Sequence, residues 1–87
     1  MRDIVEWRNR IDEIDTKLLA LLNERAKCAL EIGHIKRQDG LPVLDAGREQ
    51  RIYARLRELN GGPFSNEAIE RLFSCLIAES RLLESRD

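Results

Sequence analysis

The sequence predicts an all-α protein of three helices per chain: one long, one short and one of medium length. Three observations carry this. An apolar seam repeats every seven residues through the first part of the chain. Two turn signals, Gly40-Leu41-Pro42 and Gly61-Gly62-Pro63, cut the remainder into shorter amphipathic segments. No stretch alternates apolar and polar residues as a half-buried strand would, and no internal repeat or low-complexity run appears.

The first helix is expected from Asp3 to about Gln38. Ile4, Ile11, Leu18, Arg25 and Ile32 form one heptad register, and Trp7, Ile14, Leu21, Cys28 and Ile35 the other. Only Arg25 interrupts this run. Leu19, Leu22, Ala26, Ala29 and Leu30 widen the stripe beyond that of a two-stranded coiled coil, toward a bundle core. At 1.5 Å per residue such a helix is on the order of 50 Å long, whereas a compact globule of this chain length is about 30 to 35 Å across. The rest of the chain cannot cover it. A second copy, giving an intertwined helical homodimer, is the simplest cover.

Asp39-Gly40-Leu41-Pro42 ends that helix, because glycine accepts a left-handed cap and proline cannot continue the hydrogen-bond ladder. Asp45 is a good N-cap for a second helix over about 46–60, whose apolar face is Ile52, Tyr53, Leu56 and Leu59. After Gly61-Gly62-Pro63, Ser65 or Asn66 caps a third helix running to about Ser85. Its stripe is Ile69, Leu72, Phe73, Leu76, Ile77, Ser80 and Leu83.

At 87 residues the chain is read as a single domain, 1–87. Its 15 Lys and Arg against 16 Asp and Glu give a net charge of -1, so no global field attracts nucleic acid or an anionic membrane. Aromatic residues at 5% are too few for base-stacking platforms. No apolar run approaches the roughly 20 residues of a membrane span, and the charged opening MRDIVEWRNR is unlike a secretory leader. Cys28 and Cys75 lack metal-ligand spacing and are expected to pack as small hydrophobes in a cytoplasmic protein. Neither a metal constellation nor a nucleophile-base set is visible.

Function is read from polar residues in unexpected places. Gly33 to Arg51 gathers cations and carboxylates at a helix junction, which suits a small polyanion. Arg25 lies inside the apolar seam, where an unpartnered guanidinium is costly; Glu24, Glu31 or a carboxylate of another helix could pair with it. Lys36, eleven residues on, projects from nearly the same side at a separation of roughly 16 Å along the axis. Arg8 is about 25 Å and 100° from Arg25, so it cannot serve the same site from its own helix. Alone it would be a solvated charge or a partner of Asp12. Ser80 could bond back to the carbonyl four residues earlier, Arg48 and Glu49 could be surface residues of a first turn, and Glu84 could lie exposed near a fraying end.

The ordered set Arg8-x-x-Ile11-x-x-Ile14-Asp15, Leu18-Leu19-x-Leu21-Leu22-x-x-Arg25, Ile32-Gly33-x-x-Lys36, Pro42-Val43-x-Asp45-x-x-Arg48-Glu49 and Glu79-Ser80 resembles the AroQ-class chorismate mutases over nearly the whole chain. The resemblance implies an intertwined dimer whose first helices pair across the twofold axis, with Arg8 crossing into the other protomer's site. Chorismate, a dianion, would rearrange to prephenate in an intramolecular pericyclic step that needs no nucleophile, metal or cofactor. By the same resemblance, Arg25 and Arg8 of the partner subunit grip the carboxylates, assisted by Arg48 and Ser80. Lys36 donates to the breaking ether oxygen, and Glu49 with the Asp45 region fixes the ring hydroxyl. Where the familiar bacterial pattern has a glutamine donor, this chain has Glu84, which can donate only when protonated.

Two other functions compete. An isochorismate-pyruvate lyase shares the fold and the cationic site, and a silent helical dimerisation module would need only the heptad seam. An inward-facing set of Arg25, Lys36, Arg48 and Glu49 argues against the silent module.

Overall fold

The computed structural model describes residues 3–86. It contains α1 (Ile4–Asp39), α2 (Ala46–Leu59) and α3 (Asn66–Glu84), with no strand among the described residues. Each helix starts on a side-chain cap. Asp3 Oδ1 accepts from the Glu6 amide at 3.1 Å, Asp45 Oδ1 from Arg48 at 2.9 Å, and Ser65 Oγ from Ala68 at 3.1 Å. Of the two candidate caps for α3, Ser65 is thus the one used. Asp3 lies just outside α1 and Asn60 just beyond α2, small corrections to the expected bounds.

The turns between helices are fixed by different devices. Gly40 closes α1 in the left-handed region at φ 65°, which lets the Leu41 amide reach the Lys36 carbonyl at 2.8 Å. Between α2 and α3, Asn60 organises the loop: its Nδ2 donates to Phe64 O and Asn66 Oδ1, and its Oδ1 accepts from Gly62 N. The Gly-Gly-Pro signal locates this break without revealing the asparagine that ties it.

α3 packs against both α1 and α2. Its contact with α1 buries Ala29 and Gly33 from one side and Ile77 and Ser80 from the other. This is a small core. The described chain measures 59 × 25 × 15 Å with a radius of gyration of 16.3 Å, against about 12 Å for a compact domain of this length. Its accessible surface is 7286 Å², where a compact monomer of this mass exposes roughly 5,300 Å². The excess lies largely on the first half of α1, where every described residue through Glu24 is exposed.

Several apolar expectations are corrected within the protomer. Leu59 and Leu72 face outward at 67% and 54% exposure, although both belong to the expected stripes. Cys28 and Cys75 are free and exposed, not packed as small core residues. The helical period places these residues on a face but does not supply the element that covers it.

Candidate active site

The C-terminal half of α1, the start of α2 and the end of α3 enclose a cavity of about 290 Å³, at the small end of the range for small-molecule sites. Ala29, Ile32, Val43, Ile52 and Ile77 form its apolar wall, with Cys28 at its edge. It is also lined by Arg25 and Lys36 from α1, Asp45, Arg48 and Glu49 from the α2 start, and Ser80 and Glu84 from α3. Seven of the eight residues singled out in the sequence therefore line one cavity. Arg8 is the exception: it lies exposed on α1, about 25 Å along the axis from Arg25.

Several of these polar groups hold one another in place. Arg25 Nη1 donates to Ser80 Oγ at 2.7 Å, and Ser80 Oγ donates to the Leu76 carbonyl at 2.8 Å. The guanidinium thus meets a hydroxyl, not the carboxylate that burial alone suggested. Ser80 makes its expected local bond and still accepts from Arg25, since a hydroxyl has one proton and two lone pairs. A side chain spanning the helix interface at 2.7 Å fixes where the guanidinium points.

Lys36 is held more tightly. Its Nζ donates to the Val43 carbonyl at 2.8 Å and lies 2.6 Å from Glu84 Oε1, with the two side chains only 17% and 13% exposed. Glu84 is therefore not a solvated residue at a fraying end. The Asp45 cap orients the first turn of α2, and with it Arg48 and Glu49. Glu49 Oε2 is 3.5 Å from Arg81 Nη1.

Arg81 also lines the cavity and was not singled out in the sequence. Its signal was its spacing: it follows Ile77 by four residues and precedes Glu84 by three, which places all three on adjacent positions of one helical face. Val43 contributes through its backbone carbonyl, which no side-chain pattern can announce. With every group ionised, the four cations lining the cavity outnumber its three carboxylates by one. The cavity is positive although the chain carries a net charge of -1, so an anion is attracted locally.

The site offers several hydrogen-bond donors and three carboxyl groups around a confined apolar space. Its lining residues include no nucleophile held against a base. Among the described residues, no cluster of three or more His, Cys, Asp or Glu is arranged to hold a metal ion. No helix among them is long and apolar enough to cross a membrane. The arrangement suits binding and reshaping a compact anion.

Residues 7–85 match the family described as chorismate mutase type II. A chorismate mutase from Methanocaldococcus jannaschii is 38% identical over 95% of this chain and 85% of its own length. A bifunctional chorismate mutase/prephenate dehydratase from Aquifex aeolicus is 39% identical over 99% of this chain, which spans only 25% of that protein. The chain thus corresponds to about a quarter of such bifunctional relatives. Among solved structures, form II of the chorismate mutase from Thermus thermophilus superposes with a TM-score of 0.94 at 37% identity, covering 97% of this chain and 96% of that one.

Proposed function

We propose that this chain, which belongs to the chorismate mutase type II family, converts chorismate to prephenate by holding the substrate in its reactive shape and stabilising the charge that develops as the ether bond breaks. The observation that carries this reading is the convergence of Arg25, Lys36, Arg48, Glu49, Ser80 and Glu84 on one small, net-positive cavity. The rearrangement is intramolecular. It asks the protein for orientation and electrostatic stabilisation and for no covalent bond.

The proposed roles are those the family resemblance implies, and the shared cavity supports them. Arg25 and Arg48 take the substrate carboxylates, with Ser80 fixing the Arg25 guanidinium. Lys36, its ammonium already oriented by the Val43 carbonyl, donates to the ether oxygen. Glu49 and the Asp45 region accept from the ring hydroxyl. Glu84 donates as a carboxylic acid, so substrate entry exchanges its ion pair with Lys36 for a protonated carboxyl beside the bound anion. In the ionised form it would face that anion as a like charge.

In this proposal the working unit is a homodimer with the first halves of two α1 helices packed against one another and Arg8 of the partner subunit completing each site. The bare apolar seam and the surface excess of α1 support that assembly. Two free thiols suit a reducing, cytoplasmic setting.

The test is direct. The purified chain is given chorismate and, separately, isochorismate, and the products are identified. Prephenate from chorismate at an enzymatic rate is the expected result. Pyruvate release from isochorismate without prephenate formation would reassign the site to the lyase of the same fold, and inertness toward both would leave only a dimerisation module.

A further inference from the structure

We infer that Gly33 and Arg37 are positioning residues for the Glu84 carboxyl group, a role that rests on the proposed mutase site. Glu84 is the last residue of α3. Carbonyls of a final turn lack intrahelical partners, and helix ends fray, so this is a poor place for a group that must be held accurately. Its side chain is nevertheless 13% exposed and in contact with Lys36.

Two features of α1 account for this. A Cβ on Gly33 would lie 2.6 Å from the Glu84 carbonyl oxygen and 2.8 Å from its Cα, closer than any side chain tolerates. The end of α3 therefore rests directly on the α1 backbone. One turn later, Arg37 Nη1 donates to that same carbonyl at 2.8 Å, filling the acceptor that the helix leaves open. The guanidinium is steered in turn by His34, 2.9 Å from Arg37 Nη2. Because arginine can only donate, His34 Nδ1 accepts.

One stretch of α1 thus supplies the floor, the clamp and the electrostatic partner of a single carboxyl group. Misplacing a reacting group by about 1 Å costs on the order of a hundredfold in rate. Adding a methyl to the floor must move α3 by a comparable amount, because the clash is with backbone, whereas removing the clamp only loosens its end.

The experiment combines Arg37→Leu, Arg37→Lys and Gly33→Ala with Glu84→Ala in the full chain. Arg37→Leu should lower kcat about tenfold with KM within about twofold, Arg37→Lys should recover most of that loss, and Gly33→Ala should cost about a hundredfold. In the Glu84→Ala background, with no carboxyl left to place, Arg37→Leu should cost less than about twofold. Arg37 is exposed, so its variants test the inference even if Gly33→Ala fails to fold. Hydrogen exchange at the Ser85 amide, which closes the last turn on the Arg81 carbonyl, should quicken at least about fivefold in Arg37→Leu. Equal losses in both backgrounds, or unchanged exchange, would overturn the inference. A wild-type chain inert toward chorismate would defeat the mutase reading alone, because the exchange measurement still decides whether Arg37 holds the end of α3.

Discussion

The first six turns or so of α1 and its last four carry the same seven-residue apolar seam, yet only the last four pack on their own chain. From Ile4 to Leu21 the seam residues remain exposed, between 48% for Ile14 and 65% for Ile4. From Arg25 onward the helix packs on α3 through Ala29 and Gly33, which lie beside the seam, and lines a cavity with Arg25 and Lys36, while the seam's Ile32 and Ile35 stay 46% and 52% exposed. Periodicity states that a helix has an apolar face. It does not state whether that face meets the same chain, a second chain or a substrate.

The largest effect should come from the packed half. Lys36→Ala should lower kcat on chorismate by about 10² to 10³, as expected for loss of a preorganised donor at developing charge. The circular dichroism spectrum should stay helical, and a loss below about tenfold would remove Lys36 from the chemistry. The bare half should respond differently: Leu18→Glu should give monomers by sedimentation velocity and a loss of activity of about fiftyfold or more, because each site then lacks its crossing arginine. Unchanged sedimentation would show that this half is not where two copies meet.

A third test asks whether Glu84 donates to the substrate. Glu84→Gln, which keeps a donor at this position, should retain activity within about threefold, while Glu84→Ala should cost about tenfold or more. Equal losses in the two variants would eliminate the donor role. A fourth joins the two halves: Arg8→Ala and Arg25→Ala should each be nearly inactive, and mixing them in equal amounts should restore about a quarter of native activity, because half the dimers then carry one intact site of two. No gain over either parent would place Arg8 outside the partner's site. The smallest effect belongs to the polar side of the bare half. The Arg10 and Glu13 ion pair is 60% and 66% exposed, so Glu13→Ala should change stability by less than about 0.5 kcal/mol in thermal unfolding.

The positions of the elements were readable from the chain because their causes are local. Asp45 and Ser65 cap through their own side chains, Gly40 takes a conformation that other residues avoid, and Pro42 and Pro63 follow helix ends. Of the seven cavity residues, Arg25 and Ser80 were legible as polar groups inside apolar stripes, Lys36 as a second cation on nearly the same side of α1, and Asp45, Arg48 and Glu49 as charges gathered at a helix junction, whereas Glu84 entered only through the family resemblance. Arg81 escaped because an arginine on a solvated helix looks ordinary until Glu49 is known to stand across from it. Cys28, Cys75, Leu59 and Leu72 were misjudged because apolar spacing cannot identify a covering neighbour.

Three helices, their ends and the phase of each apolar face are written in the chain, since sterics and capping act over a few residues. Two pairings are not: Arg25 meets the hydroxyl of Ser80, 55 residues away, and Lys36 meets Glu84 across 48. Both depend on how closely α3 can approach α1, a distance set by the missing side chain of Gly33 and visible only once both helices are in place.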